Sequence, residues 1–346
     1  AIIGILMVGS AYAEWTQLGE DIDGEEKFDF SGAAVSLSSD GSIVAIGAYG
    51  NDGNGPRSGH VRIFEWAGTV WTQLGEDIDG EVEFDFSGSA VSLSSDGSIV
   101  AIGAADNHDN GQESGHVRIY QWDGGAWTQL GKDIDGEAEG ERTGNSVSLS
   151  SDGSIVAIGA KNSSRNGETS GHVRIFKWDN DEWTQVGDHI DGDAGDASGH
   201  SVSLSSNGTV VAIGAVYAAG TYTGHVRIYE WDGTAWGKRG DDIDGEALGD
   251  SNGYAVSLSS DGSIVAIGAP LNGGNGEWSG HVRIYQWVDD EWTQLGEDID
   301  GEAAEDRNGQ SVSLSSDGNI VAIGAVLNSD AAKQAGHVRI FKWDGT

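Results

Sequence analysis

Four carboxylates recur along this chain at a fixed spacing. Asp21, Asp23, Glu25 and Asp29 stand at relative positions 1, 3, 5 and 9 of a short acidic segment. The same spacing returns at Asp77, Asp79, Glu81 and Asp85, at Asp242, Asp244, Glu246 and Asp250, and at Asp298, Asp300, Glu302 and Asp306. Two further copies depart from it, one ending in Glu141 and the next beginning with His189. Carboxylates so spaced can wrap a hard cation such as calcium, which collects several oxygens. If calcium binds, these segments are where it is expected, and no other cofactor is called for. Gly at position 4 and an apolar Ile at position 2 suggest strand rather than loop, so the alternative is a set of solvated turn acids that keep the surface soluble.

Other recurring residues invite a catalytic reading and argue against it. His60, His116, His172, His225, His281 and His337 each precede an arginine by two residues, at Arg62, Arg118, Arg174, Arg227, Arg283 and Arg339. Identical residues at one scaffold position in every copy are spread out rather than gathered. Their expected role is structural, with each Arg on a carboxylate and each His satisfied between copies. Asp40, Asp96, Asp152, Asp261 and Asp317 each precede a glycine. One carboxylate on a tight turn is too few for calcium, and a type I′ or similar hairpin is expected there. No nucleophile elbow, phosphate loop or metal-spaced His pair occurs. Catalysis normally needs a single asymmetric constellation, so the chain is expected not to be an enzyme. The main asymmetry is one copy with Gly237-Lys238-Arg239 in place of Thr-Gln-Leu and with shortened variable stretches.

The elements that must position these residues follow from the repeat. Trp15, Trp71, Trp127, Trp183, Trp236 and Trp292 open six copies, at spacings of 56, 56, 56, 53 and 56 residues. Each copy holds four strand-like pieces. In the first, Val35-Ser36-Leu37-Ser38 alternates apolar and polar, Ile43-Val44-Ala45-Ile46 is a short apolar run, Gly59 to Trp66 alternates again, and Trp71-Thr72-Gln73-Leu74 follows a short turn. Four antiparallel strands repeated six times predict a six-bladed β-propeller, all-β, over residues 14–346. A β-solenoid is the rival architecture. Trp66 and Trp71, facing across a turn, read as packing between blades. The phase of the repeat makes each WTQL strand the outermost of the preceding blade. Trp15–Leu18 would then complete the sixth blade beside Gly336–Trp343 and close the ring. Trp343-Asp344-Gly345-Thr346 stops where another Trp strand would begin, so a seventh blade fits the same pattern.

One copy carries a family resemblance. Gly253-Tyr254-Ala255-Val256-Ser257, then Ile264-Val265-Ala266-Ile267-Gly268-Ala269-Pro270, then Gly280-His281-Val282-Arg283-Ile284-Tyr285 resembles an FG-GAP repeat, the blade unit of the integrin α-chain propeller. It is also similar to repeat arrays in large secreted proteins of marine bacteria. The resemblance extends over all six copies, although the Pro is replaced elsewhere, as by Tyr49 or Lys161. It implies a propeller with ligand-binding loops on one face, often in adhesion. The family's calcium loop, D-x-D-x-D-G-x-x-D between the first two strands, has no counterpart here, where only Ser38-Ser39-Asp40-Gly41 stands.

Charge narrows the partners. With 56 acidic and 18 basic residues the formal net charge is −38, which repels nucleic acid and anionic membranes. Residues 1–13, AIIGILMVGSAYA, read as the end of a secretory signal peptide, and no stretch is suited to membrane insertion. The expectation is a secreted or cell-surface module that binds a glycan or protein, as a monomeric ring or as part of a larger chain. A structural repeat region of a larger surface protein and a glycan-active enzyme are the alternatives. Two stretches vary between copies and fall on one face, while the near-invariant turns fall on the other. A fixed scaffold with variable loops is how propellers present ligand surfaces. Aromatic residues in those loops, Phe28, Phe30, Tyr49, Phe84, Phe86, Tyr217, Tyr222 and Trp278, are the candidate contacts, Trp278 foremost.

Overall fold

The computed structural model describes residues 17–218, 221–329 and 333–345. Residues 1–13, expected to be the end of a signal peptide, and Trp15, expected to begin a strand, lie outside the described residues. Among those described there is no helix, and hence none long and apolar enough to cross a membrane.

The first blade shows the plan. Strand β1 (Ala34–Leu37) pairs antiparallel with β2 (Ile43–Ala48), which pairs with β3 (His60–Trp66). The outermost strand comes in two pieces, β4 (Trp71–Gln73) and β5 (Ile78–Asp79), both pairing with β3. Six such sheets form a six-bladed β-propeller of four-stranded antiparallel blades, the sixth with three strands among the described residues. As the repeat phase requires, each WTQ strand belongs to the blade that precedes it.

Local chemistry explains the invariant residues. The β1–β2 hairpin closes over four residues. Asp40 Oδ1 accepts from Ser38 Oγ and from the Ser42 backbone and hydroxyl, and Gly41 takes φ +70°. It is therefore not a type I′ turn, which needs two residues at positive φ. Beside it the Ser39 amide donates to the Ser95 carbonyl of the next blade. The series continues through Ser151, Ser206 and Ser260 to Ser316. Ser36 Oγ accepts the Leu93 amide of the neighbouring inner strand, which otherwise lacks a ladder partner. Gly47 is required by close approach, since a Cβ there would lie 2.1 Å from the Gly88 carbonyl oxygen.

The core lies between blades rather than within them. Five apolar layers repeat, each made by two consecutive blades, such as Val61, Ile63 and Ile78 against Leu93, Val100 and Ile102. Among the described residues there are five layers for six blades, and none joins the sixth blade to the first. Val35 and Leu37 are 62% and 59% exposed on the first blade, and Val338 and Ile340 are 67% and 53% exposed on the sixth, where Val61 and Ile63 are buried. The strand expected to close the ring begins at Trp15, which lies outside the described residues. The segment from Leu18 to Asp23 makes to the first blade the bonds that each outer strand makes to the blade after it, its carbonyls accepting from Trp71 Nε1 and Arg62 Nη2. Among the described residues it does not pair with 337–342, whose strand partner is Ile320–Ala325.

Candidate functional site

The four carboxylates of one acidic segment do not converge. Position 9 turns inward. Asp29, Asp85, Asp250 and Asp306 are buried, and Asp85 Oδ2 accepts the amides of Glu81 and Val82 while its Oδ1 accepts from Asn107 Nδ2 at 3.1 Å. Asp250 and Asp306 staple their loops in the same way. Position 3 sits in the short outer strand. Asp79, Asp244 and Asp300 lie opposite His60, His225 and His281, and the carbonyls of Asp23, Asp79, Asp244 and Asp300 each accept an arginine of the next blade at 2.5–2.6 Å. The repeated arginines thus bond to backbone carbonyls and also stand beside a carboxylate as expected, Arg227 being held by Asp193 and Asp242. Asp21 only accepts from Gln17 at the surface.

Positions 1 and 5 do converge, but from successive segments and onto a histidine. Asp77 Oδ2 lies 3.6 Å and Glu25 Oε2 3.9 Å from His60 Nδ1. Glu246 and Asp298 flank His281 Nδ1 at 3.7 and 3.6 Å. Glu302 stands 3.6 Å from His337 Nδ1. At the second blade Glu81 and Asp133 are joined by Asp109 around His116. An open cavity of about 460 Å³ fronts the first of these groups, lined by Glu25, Asn51, Asp52, His60, Asp77 and Asp79 among others. Two of the histidines are not satisfied as expected: neither ring nitrogen of His116 or of His172 has a hydrogen-bond partner. Burial, and then the neighbouring arginine, holds His116, His172 and His281 below the ordinary imidazole range, so these rings are neutral. Sequence reasoning passed over the histidines, Asp109 and Asp133. The register was the missing signal, because it sets each histidine at the start of the third strand opposite the Ile-Asp piece and so beside position 1.

The variable loops form a second ensemble, and its backbone is uniform. Arg57, Glu113, Thr169, Tyr222, Trp278 and Gln334 occupy one equivalent position, and all have φ between 49° and 56°. Phe30, Phe86, Arg142, Ala197, Ser251 and Arg307 occupy another, at 53° to 57°. The left-handed region is costly for side chains of this size. The two positions meet across blades: the amides of Phe86, Arg142, Ala197, Ser251 and Arg307 donate to the carbonyls of Arg57, Glu113, Thr169, Tyr222 and Trp278 at 2.8–3.1 Å. Five pairs result, of differing chemistry. Arg57 lies over the Phe86 ring at 5.8 Å, whereas Glu113 and Arg142 form an ion pair at 2.9 Å. Of the candidate aromatic residues, Phe28, Phe30, Phe84, Tyr222 and Trp278 are exposed. Phe30 stacks on Tyr49 at 5.2 Å, Tyr49 meets Phe86 at 6.1 Å, and Tyr217 meets Tyr222 edge-on at 4.5 Å.

The fold is that of solved propellers. Among similar structures, the hydrazine synthase of Kuenenia stuttgartiensis matches over 90% of this chain and 84% of its own, at 13% identity and a TM-score of 0.58. A Bacteroides uniformis protein assigned as a 6-phosphogluconolactonase matches over 91% and 81%, at 12% identity and 0.60. The periplasmic gluconolactonase of Pseudomonas aeruginosa matches over 90% and 85%, at 15% identity and 0.54. At such identities the likeness is one of fold. Neither a family model nor a curated protein sequence matches the chain. The expectation that the chain is not an enzyme is corrected by these structures, because the same fold serves enzymes. A repeated scaffold does not prevent catalysis, since loops that differ between blades supply the asymmetry that the scaffold lacks.

Proposed function

We propose that this protein is a secreted or cell-surface recognition module that binds a glycan or protein through its variable-loop face. The observation that carries this reading is the row of five paired positions with one strained backbone geometry and five different side-chain pairings. A backbone held constant at conformational cost, beneath side chains that change from pair to pair, suits display rather than packing. Exposed Trp278 and Tyr222, with the Phe28–Phe30–Tyr49 group, supply flat apolar surface for a sugar face or a protein anchor. The resemblance to FG-GAP repeats, whose ligand loops lie on one face, supports the same reading.

The test is a glycan and protein array probed with the protein, followed by affinity measurements on the ligand found. Trp278→Ala is expected to keep the fold and weaken binding by about 2 kcal/mol. Asp261→Ala, in a hairpin at the opposite end of the strands, is expected to leave affinity unchanged. The reverse result would place the ligand on the wrong face and sink the proposal.

A further inference from the structure

We propose that the second blade carries a site for a first-row divalent metal ion of the zinc or manganese class, held by His116 Nδ1 and by carboxylate oxygens of Glu81, Asp109 and Asp133. The four residues come from separate segments. Glu81 follows the outer strand of the first blade, Asp109 lies in the second variable loop, His116 opens the third strand (His116–Trp122), and Asp133 precedes the last outer strand piece (Ile134–Asp135). One ligand atom from each lies within 4.8 Å of all the others. His116 Nδ1 is 3.9 Å from Glu81 Oε2, 3.9 Å from Asp133 Oδ2 and 4.0 Å from Asp109 Oδ2. These separations are too long for hydrogen bonds. They lie at or slightly beyond the about 3.3–3.9 Å between ligands that share an ion in a tetrahedral shell, a gap that small side-chain rotations close.

A buried imidazole points independently to a ligand. His116 is 1% exposed, and neither of its nitrogens has a hydrogen-bond partner. A polar ring that deep normally finds one. Three carboxylate oxygens face His116 Nδ1, and Arg118, 3.9 Å from Glu81, is the cation beside them. One nitrogen among carboxylates favours a first-row metal over calcium, which prefers an all-oxygen shell.

Two other copies meet the same demand with a side-chain cation. At the third blade, where Asp109 and Asp133 correspond to Arg165 and His189, Arg165 lies 3.2 Å from Glu137 and 3.4 Å from Asp191. At the fourth, Lys238 stands where other copies have Gln, with Nζ 2.5 Å from Asp242, and Arg227 reaches Asp193 at 2.6 Å. A side-chain cation fills those two places in a chain with few cations to spare. The second blade combines the most carboxylates with no such residue.

The experiment titrates metal-stripped protein with ZnCl2 and with MnCl2 in excess magnesium, which displaces ions held only by the diffuse negative field. A saturable site is expected to persist. Asp109→Asn and Asp133→Asn should each weaken it by about tenfold or more, whereas Asp317→Asn should not. Nitrogen NMR of the imidazoles on unmutated protein should show the His116 ring shifting as zinc is added, a readout that does not depend on any variant folding. Loss of all binding in excess magnesium, unchanged affinity in both Asn variants, or an unmoved His116 resonance would each overturn the site.

Discussion

Trp127 Nε1 donates to the backbone carbonyl of Leu74, 2.8 Å away and one blade earlier. The same bond joins Trp71 to Leu18, Trp183 to Leu130, Trp236 to Val186 and Trp292 to Arg239. Each tryptophan also packs on its partner across the outer turn, as Trp127 does on Trp122 at 5.5 Å. Trp127→Phe keeps a ring and removes the bond, so it should cost about 1 kcal/mol in urea unfolding. Trp127→Ala should cost about 3 kcal/mol or more. Equal effects from the two variants would mean that the indole nitrogen contributes nothing.

The unpaired seam separates residues that the repeat makes equivalent. Ile63 is 1% exposed and Ile340 is 53% exposed. Ile63→Ser should destabilise by about 3 kcal/mol, and Ile340→Ser by less than about 1 kcal/mol. Comparable losses at both sites, read from thermal or urea midpoints, would show that the seam is covered in solution.

Asp85 is fully buried, and its carboxylate accepts three hydrogen bonds. Asp85→Ala should cost about 2 kcal/mol and loosen the loop that carries Phe84 and Phe86. Amide exchange at Glu81 and Val82 is the direct readout. Unchanged protection there would exclude the staple.

Burial, and then Lys161, lowers His200 to about 4, with its ring 4.7 Å from Tyr254. The folded protein holds this ring neutral, while the unfolded chain protonates it near the ordinary value. Stability present above about pH 6.5 is therefore lost as pH falls towards 4. His172, lowered to about 3 by burial and then Arg174, adds to the same trend. His200→Phe keeps the ring contact and removes the proton, so it should lessen the stability lost between pH 7 and 4.5 by about 1–2 kcal/mol. A pH profile parallel to that of the unmutated protein would refute this.

The blade was legible in the sequence because its signals are local. Alternation in Val35-Ser36-Leu37, the apolar run from Ile43 and the Asp40-Gly41 turn each act over a few residues. The phase of the Trp strands also placed each outer strand on the correct blade. The exposure of Ile340 was not legible, because the same residue type is buried at the equivalent Ile63. The acidic segment misled for a related reason. Spacing along the chain suggested a wrap around one cation, but Ile78 and Asp79 pair with β3, so Asp77 and Glu81 are sent to different histidines. The five loop pairs had no sequence signal, because a backbone at positive φ beneath Arg57, Thr169 or Trp278 leaves no common residue type.

The relay of serine amides from Ser39 to Ser316 connects each blade only to its neighbours, and the apolar layers do the same. A closed circle of such units has no terminus at which to come apart, whereas the described blades leave the apolar faces of the first and the sixth uncovered. Opening then proceeds as fraying of a short stack, with the outer units released before the inner ones. Backbone amides in the strand from Ile155 to Ala160 and in that from Val210 to Ala215 sit furthest from either end. They should be the last to exchange with deuterium, and the strands from Ile43 and Ile320 the first.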